Sequence, residues 1–130
     1  YPEYPAVADF SVTRALQEAS NKFSYKTWTG VVQSKDSLFG QHQPQRMPVK
    51  DELQTKYQAW IDAGALGSEM ECAAVFVVAG VLGMRAGAVL HVIWNREKDK
   101  IGEEVLTVSD MSPAIETAIE AIRILMKEDK

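Results

Sequence analysis

Apolar side chains recur along this chain with a helical period in some segments and gather in short runs in others. Between residues 5 and 23, Val12, Leu16, Ala19 and Phe23 follow one another at spacings of four, three and four, which is one face of an amphipathic helix. Residues 49–63 repeat the pattern through Leu53, Tyr57, Trp60 and Ile61, with Gly64 as the stop signal. Residues 70–82, MECAAVFVVAGVL, are apolar almost all round, so the helix expected there should be buried on more than one side and end at Gly83. A last stripe, Ile115, Ile119, Ile122 and Met126, follows Ser112 and Pro113, which predict an N-cap and a Pro in the first helical position. Two segments read instead as strands. Residues 26–33, KTWTGVVQ, are short and rich in β-branched and aromatic side chains. Residues 86–94, AGAVLHVIW, form an apolar run after a turn signal, as in a strand covered on both faces of a parallel sheet, with Asn95 and Arg96 at its carboxyl end. Residues 34–50 carry a Gly, two Pro and many polar side chains, show no usable period and read as one long loop.

Helices alternating with short strands predict an α/β fold with right-handed crossovers, although two strands are too few for a closed sheet. Composition narrows the class further. With 130 residues, 46% of them hydrophobic and 25% charged, the chain matches one ordinary globular unit or part of one. A formal net charge of -4 with interspersed signs offers no electrostatic footprint for nucleic acid or an anionic membrane. Cys72 is the sole cysteine, no signal-peptide pattern opens the chain and no apolar run approaches a membrane span, so a cytoplasmic location is expected. The chain begins at Tyr1, and YPEYPAV resembles a connecting loop, which suggests a fragment.

In open α/β sheets ligands bind outside the carboxyl ends of the strands, which directs attention to the loops after Gln33 and Trp94. The first offers Ser34, Lys35, Asp36, Gln41, His42 and Arg46; the second offers Asn95, Arg96 and Glu97. Together they suit a planar polar ligand. The stretch GSEMECAAVF admits two readings. Ser68 and Glu71 have capping-box spacing, with Glu69 complementing the helix dipole. Alternatively, a carboxylate at the start of a buried helix needs a partner, and a vicinal diol is one, because an ionised carboxylate only accepts hydrogen bonds. Cys72 reads as a small core hydrophobe and His91 as a core histidine. No metal-ligand spacing and no glycine-rich phosphate loop occurs.

VADF near residue 9, SKDSLFGQH at 34–42, WIDAGALGSEMECAAVFVVAGVLGMRAGAV at 60–89 and VIWNRE at 92–97 together resemble, in order and over nearly the whole chain, the uridine phosphorylases of the nucleoside phosphorylase-I family. The resemblance implies a three-layer α/β/α sandwich around a mixed sheet, of which residues 1–130 would be the C-terminal portion of a single domain. It further implies dimers that build hexamers, and reversible phosphorolysis of uridine to uracil and ribose 1-phosphate without a cofactor, phosphate being a co-substrate.

Residue by residue, Glu71 resembles the carboxylate that holds the ribose 2′ and 3′ hydroxyls, Met70 the residue packed on the sugar, and Glu69 a helper. Many members read uracil with a Gln and an Arg one residue apart, whereas here GQHQPQR places Arg46 five positions after Gln41. KDSLFGQH is instead similar to a branch in which a Lys and a His seven positions apart read the base, here Lys35 and His42, with Gln41 as a secondary contact and Arg46 as a further candidate. Ile93 and Trp94 would line the base pocket. Purine-specific members carry Ser-Asp after the corresponding strand; Trp94 and Asn95 stand there in this chain, and a neutral amide cannot protonate a purine. The family's phosphate site lies upstream of the matching segment, so these residues are expected to act only with an N-terminal half. A purine nucleoside phosphorylase or nucleosidase, and a non-catalytic structural or oligomerisation piece, are the competing readings.

Overall fold

Capping side chains mark the starts of some of the helices in the computed structural model, which describes residues 3–129. The first helix, α1 (Phe10–Lys22), starts from Asp9, whose extended backbone lets its carboxylate accept from the Val12 N–H at 3.0 Å and from the Ser11 hydroxyl at 2.5 Å. Strand β1 is only Val32–Ser34. The segment read as a long loop is partly helical: α2 (Leu38–His42) is capped by the Ser37 hydroxyl accepting from the Gly40 N–H at 2.9 Å, and a 3₁₀ turn follows at Pro44–Arg46. Five residues span little more than one turn, too short for an apolar period to show. Helix α3 (Lys50–Asp62) ends before Gly64, which takes the left-handed conformation at φ 77°.

Strand β2 (Gly67–Glu69) was not foreseen, because GSE carries no β-branched or aromatic side chain. It pairs in parallel with β1, in the register Val32↔Gly67, Gln33↔Ser68 and Ser34↔Glu69. Helix α4 (Cys72–Val81) follows at once and closes at Gly83, again left-handed. Two further helices, α5 (Arg96–Lys100) and α6 (Ser112–Glu128), complete the chain. Ser112 is the first residue of α6 rather than its cap; Asp110 accepts from the Ser112 N–H at 3.0 Å in its place.

The chain divides into two compact units, one of the residues up to Val7 with Trp28–Met84, the other of Ala8–Thr27 with the residues from Arg85 onward. In the second unit α1 packs on α6 through Ala15, Ala19 and Ala121, small side chains that let the helix backbones approach, with Leu16, Ile124 and Leu125 around them. Glu120, buried beside this seam, pairs with Lys22 at 2.5 Å and Arg123 at 3.3 Å, and the Lys22 hydrogen bond holds its carboxyl below the usual range. The 86–94 run joins no ladder among the described residues. Its carbonyls accept at isolated points, from Asp9 N–H at Ala86 O (2.7 Å) and from Val108 N–H at Ile93 O (3.3 Å). Apolar, β-branched residues specify extension, whereas a ladder also needs a neighbouring strand.

In the first unit α4 is covered less than its composition predicts. Cys72 is buried, but Val75, Val78 and Val81 are 50%, 57% and 72% exposed. At Gly80 on this helix an added Cβ would meet the Tyr4 hydroxyl at 2.8 Å.

Candidate functional site

In parallel pairing, residues opposite one another point to the same face, and successive residues point to opposite faces. The short pair β1–β2 therefore sorts its polar side chains into two groups. On one face lie Gln33 and Ser68; on the other lie Ser34 and Glu69.

The Ser34–Glu69 face builds the start of α4. Glu69 accepts from the Cys72 N–H at 2.6 Å, from the Glu71 N–H at 2.7 Å and from the Ser34 hydroxyl, and Ser34 in turn accepts from the Ala73 N–H at 3.0 Å. Three of the amides left open at the helix start are thus satisfied. Burial pushes the Glu69 carboxyl up, but the hydrogen bonds from Ser34, Cys72 and Glu71 outweigh it and hold the group at about 2 against the usual 4.5. Its charge also acts on Cys72, whose thiol is pushed up to about 11 by burial and by its hydrogen bond to Glu69.

The Ser68–Glu71 capping box does not form. Ser68 lies in the strand, Glu71 is itself the residue before α4, and its side chain makes no cap bond. Glu69, read as a dipole partner or a sugar contact, is the capping residue. This frees Glu71: it is exposed and its carboxylate accepts from the Met70 N–H at 3.2 Å, with Met70 beside it 40% exposed.

The opposite face gathers the side chains that follow the strand. The Ser68 hydroxyl donates to Gln33 Oε1 at 3.0 Å and accepts from Lys35 Nζ at 3.0 Å and from Gln41 Nε2 at 3.1 Å. Gln33 and Gln41 are buried, and Lys35 is half-buried. Lys35 arrives because it follows β1 directly, its N–H donating to Glu69 O at 2.9 Å, and Gln41 is carried to Ser68 by the short helix α2. His42 is the last residue of that helix and is half-buried. The carboxyl edge of the pair therefore presents an ammonium and an amide on one side, with His42 the next residue of α2, and the Met70–Glu71 step at the end of β2.

Other expected residues belong to other elements. Arg46 sits in the 3₁₀ turn, exposed, and donates to Gln43 Oε1 at 2.6 Å. Ile93, Trp94 and Asn95 belong to the second unit, all exposed, and the Asn95 side chain caps α5 by accepting from the Lys98 N–H at 3.1 Å. Gln33 was missed, and Ser68 was seen only as a cap. Strand alternation was the signal, hidden because β1 was expected at 26–33 and no strand was expected at β2. Among the described residues no group of three or more His, Cys, Asp or Glu side chains is placed to hold a metal ion, and no helix is long and apolar enough to cross a membrane.

Comparison with known proteins bears on the chemistry of this edge. The family model described as Phosphorylase superfamily matches residues 1–128. A uridine phosphorylase from Treponema pallidum is 46% identical over 127 residues, covering 98% of this chain and 49% of that protein. A uridine phosphorylase from Klebsiella aerogenes is 33% identical over 127 residues, covering 95% of this chain and 50% of that protein. A guanosine phosphorylase from Halorubrum lacusprofundi is 33% identical over 93 residues, covering 72% of this chain and 34% of its own length. The chain thus spans about half the length of the uridine phosphorylases it matches.

Proposed function

Since the chain belongs to the Phosphorylase superfamily, we propose that it is the nucleoside-binding half of a uridine phosphorylase, which with an N-terminal half carries out reversible phosphorolysis of uridine to uracil and ribose 1-phosphate. The observation that carries this reading is the separation of the two glutamates. Glu69 is consumed in capping, which leaves the exposed Glu71 carboxylate, next to Met70, for a ribose diol.

In this reading Lys35 faces the oxyanion that develops on uracil as the glycosidic bond breaks, where an ammonium at a partly dry site stabilises the transition state more than the ground state. Gln41 and His42 read the imide edge. Glu71 holds both ribose hydroxyls, which fixes the sugar for in-line attack by phosphate. Phosphate is the co-substrate, no cofactor enters the reaction, and the phosphate-binding residues come from the N-terminal half. Ile93, Trp94 and Asn95 keep a base-pocket role only through the family resemblance, and Arg46 is the weakest of the uracil candidates.

The finer architecture we assign to the whole assembly is the three-layer α/β/α sandwich around a mixed sheet, in dimers that build hexamers, in the cytoplasm. Support comes from the exposed valine face of α4 and the unladdered 86–94 run, both of which have the composition of elements covered on more than one side. The purine reading draws on the guanosine phosphorylase relative. Asn95 argues against it, as its neutral amide is engaged as a helix cap and cannot act as a general acid. The deciding experiment is phosphate-dependent base release from uridine and from inosine, by this chain alone and mixed with the N-terminal half of the Treponema pallidum enzyme. Uracil release by the mixture, with none from inosine and none by the chain alone, is the expected result. Release by the chain alone refutes the division of labour, and a preference for inosine refutes the substrate.

A further inference from the structure

We propose that Ser68 is a positioning residue that sets base selectivity by fixing which end of the Gln41 amide meets the ligand. A serine hydroxyl has one proton and two acceptor sites, and all three are used here. Its proton goes to the Oε1 of buried Gln33, 3.0 Å away, so towards its other neighbours the oxygen can only accept. The Nε2 of buried Gln41, at 3.1 Å, must therefore be the end that faces Ser68, which leaves Oε1 as the Gln41 acceptor for a ligand N–H. Lys35 Nζ, at 3.0 Å, spends one of its three protons on the same oxygen and keeps two for a ligand carbonyl.

An acceptor beside a cationic donor matches a ring that carries an imide N–H next to a carbonyl. That is uracil. Cytosine offers a bare nitrogen and an amino group at the same positions, so it meets acceptor against acceptor and donor against donor. The relay Gln33 to Ser68 to Gln41 thus converts the orientation of one buried amide into discrimination between two pyrimidines. It rests on the uridine reading above.

Titration calorimetry of the chain with uridine and with cytidine tests it. Wild type should prefer uridine, and Ser68→Ala should lose about tenfold of that preference, as expected for one misdirected hydrogen bond. Ser68→Thr, which keeps the hydroxyl, should restore it; a purely steric role for Ser68 would not be rescued in this way. Gln33→Met removes the proton acceptor without touching Ser68 or the ligand side chains, and should erode the preference in the same direction even where Ser68→Ala fails to fold. Unchanged preference in the folded Ser68→Ala or Gln33→Met chain overturns the relay while leaving the uridine reading standing. No uridine binding by folded wild type overturns both.

Discussion

Replacing Glu69 by Gln separates the capping role from the shape of the side chain. In the wild type one carboxylate accepts from two backbone amides at 2.6 and 2.7 Å and from the Ser34 hydroxyl. A carboxyl held at about 2 in the folded chain, against 4.5 in its ordinary state, corresponds to on the order of 3 kcal/mol of folding stability at neutral pH. Solvent at this half-buried position screens part of that, which leaves about 2 kcal/mol. The sign follows from the lowered value. The contribution is complete above the unfolded value of 4.5 and disappears as the pH falls from there towards 2. Urea unfolding followed by circular dichroism between pH 7 and pH 3 measures both quantities. At pH 7 Glu69→Gln should lower the midpoint by about 1 M, given a urea dependence of about 2 kcal/mol per M for a small domain. The two curves should converge as the pH approaches 3. Equal midpoints at pH 7, or the same separation at pH 3 as at pH 7, would refute the assignment of Glu69 as the charged cap.

Three other outcomes are expected. Asp9→Ala should destabilise the chain by about 1 kcal/mol in the same unfolding assay, through loss of the α1 cap on the Val12 N–H. Gly87→Ala should cost about 1–3 kcal/mol, since an added Cβ would lie 2.5 Å from Val12 Cγ1, on a short branched side chain with little room to turn away. Cys72 should react slowly with a thiol reagent at pH 8, where a thiol at about 11 is thiolate in about one molecule in a thousand, and rapidly once urea unfolds the chain.

Periodicity located the long helices α1, α3 and α6, because each repeats its apolar face over more than ten residues, and the near-continuous apolar run located α4. The short elements escaped it. Helix α2 completes hardly more than one turn, and β2 is three small or polar residues whose strand state comes from pairing with β1 across 35 positions of chain. That omission misplaced the chemistry around Ser68. Counted as a helix start, Ser68 and Glu71 stand three apart and make a capping box; in a strand, Ser68 and Glu69 alternate, so one turns to Lys35 and Gln41 and the other to α4. The candidate residues themselves were legible from the family resemblance, which named Lys35, Gln41, His42, Met70 and Glu71. It gave Glu69 only as a helper of Glu71; that Glu69 caps α4 depends on backbone geometry. The 86–94 run illustrates the opposite limit, since its composition records a tendency to be covered while it joins no ladder among the described residues.

Uridine titrated into the folded wild-type chain and its Glu71→Ala variant bears most directly on the nucleoside-binding role. Wild type should bind uridine, and Glu71→Ala should remove most of that binding, at least tenfold for the hydrogen bonds lost to the diol, with its urea midpoint unchanged. Uridine binding that survives Glu71→Ala intact, or that is absent from the folded wild type, would contradict the assignment of this edge to a nucleoside.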